Sequence, residues 1–146
     1  MKNVRQILNQ KGRRVWSIDP DATVFEAIET MAKKDIGALV VLDAMRLIGL
    51  ISERHYARNV VLNGRTSADT LVRDVMETRV VTTRPHDSVE DCMALMTKSR
   101  VRHLPVLAEG RVIGIISIGD LVQSIIVDQQ FTIRQLESYI HGSAAM

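Results

Sequence analysis

Two stretches, Gly114–Leu121 "GIISIGDL" and Gly49–Tyr56 "GLISERHY", are built on one frame. Each has glycine, two aliphatic residues, serine, two variable positions and then a polar residue, Asp120 in one and His55 in the other. Working outward, a shift of 65 positions superposes Val15–Val61 on Val80–Ile126 without a gap and gives 13 identities in 47 positions. Most remaining apolar positions exchange like for like, so the chain is an internal duplication. The copies extend upstream: "VRQIL" (Val4–Leu8) matches "VRDVM" (Val72–Met76) at an offset of 68. A loop three residues longer in the first copy accounts for the two offsets.

The periodicity changes in the same order in each copy. "VWSI" and "VVTT" are β-rich and end before Pro20 and Pro85, which cannot donate to a strand ladder. Val24, Ala27, Ile28 and Met31 then fall on one helical face, and Val89, Cys92, Met93 and Met96 repeat the spacing. Thr23 and Ser88 stand at the N-cap positions of these helices, with Glu26 and Asp91 three residues on. Two strands follow in each copy, "ALVVL" and "RLIGLIS", then "LPVL" and "RVIGIIS", joined by tight turns. A helix closes each unit, over about residues 53–61 and 118–126. "DQQFTIRQLESYIHG" spaces Phe131, Ile133, Leu136, Tyr139 and Ile140 as an amphipathic terminal helix, expected to pack on its own module or on a partner chain. The last few residues are expected to be disordered.

Composition narrows the class. The 146 residues are 46% hydrophobic but only 3% aromatic, so the core is aliphatic and methionine-based. A net charge of +2 is no footprint for a nucleic-acid binder. No apolar run approaches the ~20 residues of a membrane span, and the start lacks the apolar core of a secretory signal, so the expected location is cytoplasmic. Cys92 is the single cysteine, which leaves no disulfide framework or cysteine metal site within the chain. No nucleophile elbow, Walker loop or metal-spaced cluster is present, and the chain reads as non-catalytic.

The duplicated β-α-β-β-α order and the G-h-h-S-x-x-D close (h, aliphatic), carried by "RVRHLPVLAEGRVIGIISIGDL" and "DIGALVVLDAMRLIGLISERHY", resemble the CBS-domain pair, named after cystathionine β-synthase. The resemblance implies an α+β fold in which two repeats pack sheet to sheet about a pseudo-twofold axis, plus a C-terminal helix. On that basis residues 4–62 form the first repeat, 63–71 a linker, 72–127 the second repeat, and 128–146 the terminal helix and tail. It further implies a stand-alone regulatory, signal-transducing module, often a homodimer. Its clefts between the repeats would take an adenine nucleotide (AMP, ADP, ATP or NAD) or S-adenosylmethionine, and occupancy would pass to a protein partner.

Ser117 opens a helix, where backbone N–H groups and the macrodipole favour an anion. Asp120 offers an acceptor-only carboxylate that two vicinal ribose hydroxyls can share. Ile118 and Gly119 lie between them and belong to the same candidate nucleotide site. Ser-x-x-Asp is equally close to a helix-capping box. Val101 is the candidate adenine contact, and Arg102 and His103 the candidate phosphate contacts; a solvated cationic edge with Lys98 and Arg100 is the competing explanation. Thr82 and Thr83 resemble positions that meet the adenine edge, and are also ordinary β-formers. The first copy departs from the pattern. Gly37 and Ala38 replace Arg102 and His103, and His55 replaces Asp120. Ser52, Arg54 and His55 therefore suit a phosphate or a second nucleotide moiety better than a ribose. Unequal half-sites fit an asymmetric ligand such as a dinucleotide. The alternative is a structural or protein-interaction module with vestigial clefts.

Overall fold

The structure, a computed structural model, describes residues 2–144, with side chains to residue 142. In chain order the elements are α1 (Val4–Lys11), β1 (Ser17–Ile18), α2 (Val24–Lys34), β2 (Ala38–Asp43), β3 (Arg46–Ser52) and α3 (Glu53–His55). The chain continues through a π-helical stretch (Tyr56–Val61), α4 (Val72–Val75), α5 (Val89–Ser99), β4 (His103–Ala108), β5 (Arg111–Ser117) and α6 (Ile118–Ala144). β1, β2 and β3 form one sheet and β4 and β5 a second.

The local signals account for most of this. Thr23 Oγ1 accepts from the Glu26 N–H at 3.2 Å, and Ser88 and Asp91 form a reciprocal capping box. Both hairpins turn in two residues, Ala44–Met45 and Glu109–Gly110, all four at positive φ as a type I′ turn requires. Both carry a bulge at the equivalent place, after Val41 and after Val106. Ala38, Val40 and Leu50 are buried where the two sheets meet, against Val80, Val112 and Ile115. The sheet-to-sheet packing of the α+β fold is thus present.

Three features differ from expectation. In the second repeat the first strand shrinks to a single parallel bridge, Thr83 with Val106. Pro105 stands where the first repeat has Val40, whose N–H reaches the Trp16 carbonyl. Proline has no proton to give there. The closing helix of the first repeat covers the expected residues but changes pitch after His55. The expected closing and terminal helices of the second repeat are one helix of 27 residues, because between Asp120 and His141 no glycine or proline interrupts it. Residues 129–142 are exposed along its whole end, so this segment does not pack on its own module. The disorder expected of the last few residues concerns positions 145 and 146, outside the described residues.

The lead-in helices cross over. Val4, Ile7 and Leu8 of α1 are buried with Cys92, Met96, Leu104 and Ile116 of the second repeat. Val72 and Val75 of α4 are buried with Met31, Leu39, Ile51 and Val60 of the first. Each helix lies over the glycine of the other copy's frame. A Cβ on Gly114 would sit 2.6 Å from Leu8, and one on Gly49 would collide with Met76. Leu8 and Met76 are themselves equivalent under the 68-residue offset. The frame glycines therefore admit a helix side chain.

Candidate functional site

A cleft of about 550 Å³ opens at the His55 end of the first repeat. Ser52, Arg54, His55, Arg58 and Asn59 line one wall, and Arg100, Val101, Arg102 and His103 the other. Glu77 and Arg79, just after α4, lie between the walls along with Val80 and Val81. The structure thus brings Ser52, Arg54 and His55 to the same cavity as Val101, Arg102 and His103. The two groups come from different repeats, and each alone would be a short cationic edge. Arg54 Nη1 ties the walls together by donating to the Arg100 carbonyl at 3.0 Å.

Five arginines and two glutamates, Glu53 and Glu77, face this cleft. Its two histidines contribute no positive charge near neutral pH. Burial lowers the His55 pKa below its ordinary value, with Arg54 and Arg58 pushing the same way and Glu77 opposing. Burial also lowers that of His103, reinforced by Lys11 and Arg102 and opposed by Asp120. Hydrogen bonding agrees for His55, because its Nδ1 accepts from the Ser52 backbone N–H at 3.1 Å. That leaves Nε2 carrying the proton. His55 completes a capping box and has a donor left over for the cleft.

Asp120 does the same capping job in the other copy. Its Oδ2 accepts from the Ser117 N–H at 2.8 Å, and Ser117 Oγ accepts from the Asp120 N–H at 3.1 Å. The same Oδ2 also takes the ammonium of Lys11 at 2.6 Å, and Lys11 reaches the Ile115 carbonyl at 2.8 Å. Ile118 N–H donates to the Arg102 carbonyl. The N–H groups of Ser117, Ile118 and Asp120, expected to be free for an anion, are therefore used within the protein. Asp120, Ser117, Ile118 and Gly119 do not line the open cleft with Arg102 and His103.

The threonines are also placed elsewhere. Thr83 is 2% exposed, and its hydroxyl donates to Asp87 at 2.7 Å and lies 3.4 Å from Cys92 Sγ. It packs inward; Thr82 is half-buried beside it and is not among the lining residues. Asp87 is held below the ordinary carboxylate range by the Thr83 hydroxyl, the Arg84 N–H and neighbouring charges, which outweigh its desolvation. The sequence gives no local signal for Arg58 and Arg79 in the cleft, nor for Lys11 at Asp120, and it offers Arg100 only as part of a solvated edge. The 68-residue offset does pair Arg79 with Lys11, but only the crossover of α1 and α4 gives that pairing a place.

Comparison with known proteins agrees with this architecture. The family model for the CBS domain matches twice, over residues 4–61 and 72–127. A CBS-domain protein of Burkholderia ambifaria has a solved structure at a TM-score of 0.85 and 49% identity, covering 90% of this chain and 99% of that one. The mitochondrial CBS domain-containing protein CBSX3 of Arabidopsis thaliana is 34% identical over 95% of this chain and 72% of its own length. The CBS domain pair of protein MJ0100, solved with 5′-methylthioadenosine and S-adenosylmethionine, shares the fold at a TM-score of 0.78 and 21% identity, over 88% of this chain and 98% of that one.

Proposed function

The chain belongs to the CBS-domain family, and from that premise we propose that it is a non-catalytic regulatory module that holds an adenine nucleotide by its phosphates in the Arg54–His55–Arg102 cleft. The observation that carries this is the convergence of five arginines from both repeats on one cavity large enough for a nucleotide. Guanidinium groups suit phosphate oxygens because each presents paired donors. The spare Nε2–H of His55 is complementary to an acceptor, not to a ribose hydroxyl donating its proton.

The same chemistry ranks the ligands. ATP and NAD bring two or more phosphate groups to the arginines, and AMP brings one. S-adenosylmethionine carries a cationic sulfonium, which five arginines disfavour, although the MJ0100 pair was solved with that ligand and with its neutral thioether relative. A ligand at 100 times its dissociation constant stabilises a fold by about 2.7 kcal/mol. A thermal-shift series with AMP, ATP, NAD and S-adenosylmethionine is therefore expected to rank ATP and NAD above AMP, with S-adenosylmethionine last. No shift with any of the four overturns the proposal.

A second reading is favoured by α6. Phe131, Ile133, Leu136, Tyr139 and Ile140 are all more than half exposed on the helical end. Large apolar side chains left together in water mark an interaction surface, which favours a second chain, in a homodimer or with a regulated protein, as its cover. Light scattering on the full chain and on Ile133→Glu/Leu136→Glu tests the homodimer. A monomeric mass for the unmutated chain removes it.

Among the described residues no helix is long and apolar enough to cross a membrane.

A further inference from the structure

The two copies of the frame end in different states, and the difference lies in one ammonium group. Lys11 is the last residue of α1, and Gly12 caps that helix by donating its N–H to Leu8 at φ 99°. α1 itself is held by the burial of Val4, Ile7 and Leu8 in the second repeat. The Lys11 side chain extends from this fixed point to Asp120 Oδ2 and the Ile115 carbonyl, 109 and 104 residues away in sequence. It thereby neutralises the carboxylate that ends the second frame. Arg79, its counterpart under the offset, lies four residues beyond the end of α4. Arg79 lines the cleft together with His55, which offers no carboxylate oxygen. No ion pair to His55 closes this corner as Lys11 closes the other, and the first cleft stands open.

We propose that Lys11 is an internal latch on Asp120, so that the chain takes a nucleotide first in the open cleft and holds the Asp120 side closed until Lys11 is displaced. This rests on the nucleotide-binding reading of the module. A ligand bearing two vicinal hydroxyls competes with Lys11 for the same carboxylate, since both are donors and Asp120 accepts only. The pair is partly solvated, with side chains 33% and 23% exposed. Partly solvated pairs of this kind are weak, so removing the latch is expected to improve binding at Asp120 by about two- to fivefold. Displacement needs only the side chain to swing out while the buried part of α1 stays in place. The latch can therefore open without unfolding the helix.

Calorimetric titration of the full chain with ATP tests this. The unmutated protein is expected to fill the open cleft first and the Asp120 side more weakly; Lys11→Met is expected to bind at the Asp120 side a few-fold more tightly, and Lys11→Met/Asp120→Asn to lose that gain. Lys11→Arg keeps a cation at the position and is expected to behave as the unmutated chain; this separates loss of the latch from damage to the fold. 2′,3′-Dideoxy-ATP, lacking both hydroxyls, is expected to fill only the open cleft in Lys11→Met. Two equivalents of equal affinity on the unmutated chain overturn the latch. So does a Lys11→Met protein with unchanged stoichiometry and affinity, however many equivalents the unmutated chain binds. If the unmutated chain binds none and Lys11→Met binds one, the latch holds and the open-cleft reading falls.

Discussion

The Ser52–His55 corner and the Ser117–Asp120 corner are the same piece of structure made twice. In each, serine caps the helix through its hydroxyl, and the residue three positions on returns a side-chain acceptor to the serine N–H. They part company in what that residue has left after capping. Asp120 keeps its negative charge and attracts Lys11; His55 keeps a single N–H and leaves Arg79 in the cleft. One substitution thus separates a corner closed by an ion pair from one that faces an arginine-lined cleft. Duplication preserves a scaffold more readily than it preserves a site, because capping and packing use atoms that both residues supply.

This contrast can be broken most forcefully at the cations. Arg102→Glu places a carboxylate opposite Arg54 and His55 and removes a charge-assisted contact worth about 1.5–3 kcal/mol. ATP affinity measured by calorimetry is expected to fall by about 10- to 100-fold. Asp120→Asn, on the closed corner, is expected to leave the open cleft's affinity unchanged. Equal losses from both substitutions contradict the division into two unlike corners.

Packing gives a second, smaller test, in which the copies should behave alike. Gly114→Ala puts a methyl group 2.6 Å from Leu8, where overpacking costs about 1–3 kcal/mol in denaturant titrations. Leu8→Ala opens the space, so the double substitution is expected to lose less than the two single costs added together. Simple additivity would show that α1 does not rest on that glycine.

The smallest expected effect is that of pH. Burial lowers the pKa of both His55 and His103 in the folded chain, so the unfolded chain takes up protons first as the pH falls. Above the unfolded value of about 6.5 both states hold neutral imidazoles and neither residue contributes. Below it stability declines, and protonated His55 also loses its bond from the Ser52 N–H. His55→Gln is expected to reduce the acid sensitivity measured by urea titration between pH 7 and pH 5. An unchanged pH profile in that variant would place the sensitivity elsewhere.

The repeat, hairpins, caps and helix stripes were legible because each depends on residues close in sequence. Thr23, Ser88 and the buried faces of α2 and α5 appear where periodicity put them. The short first strand of the second repeat was less so, since the decisive feature is Pro105, 22 residues beyond Thr83. The site was half legible. Arg102 and His103, and separately Arg54 and His55, are candidate phosphate contacts in the sequence, but no local pattern joins the two groups in one cavity. Strand pairing keeps His103 opposite Ser117. The cavity on which they open nevertheless belongs to the other repeat's corner.

By itself the sequence determined a duplicated α+β unit, its turns and caps, and the inequality of His55 and Asp120, all consequences of local geometry and side-chain chemistry. Only the tertiary structure decided that α1 and α4 exchange repeats, that both repeats share one cationic cleft, and that Lys11 closes on Asp120. Those contacts join residues separated by tens to more than a hundred positions. Burial of apolar helix faces chooses such partners, and hydrophobic attraction carries no directional label that a local pattern could reveal.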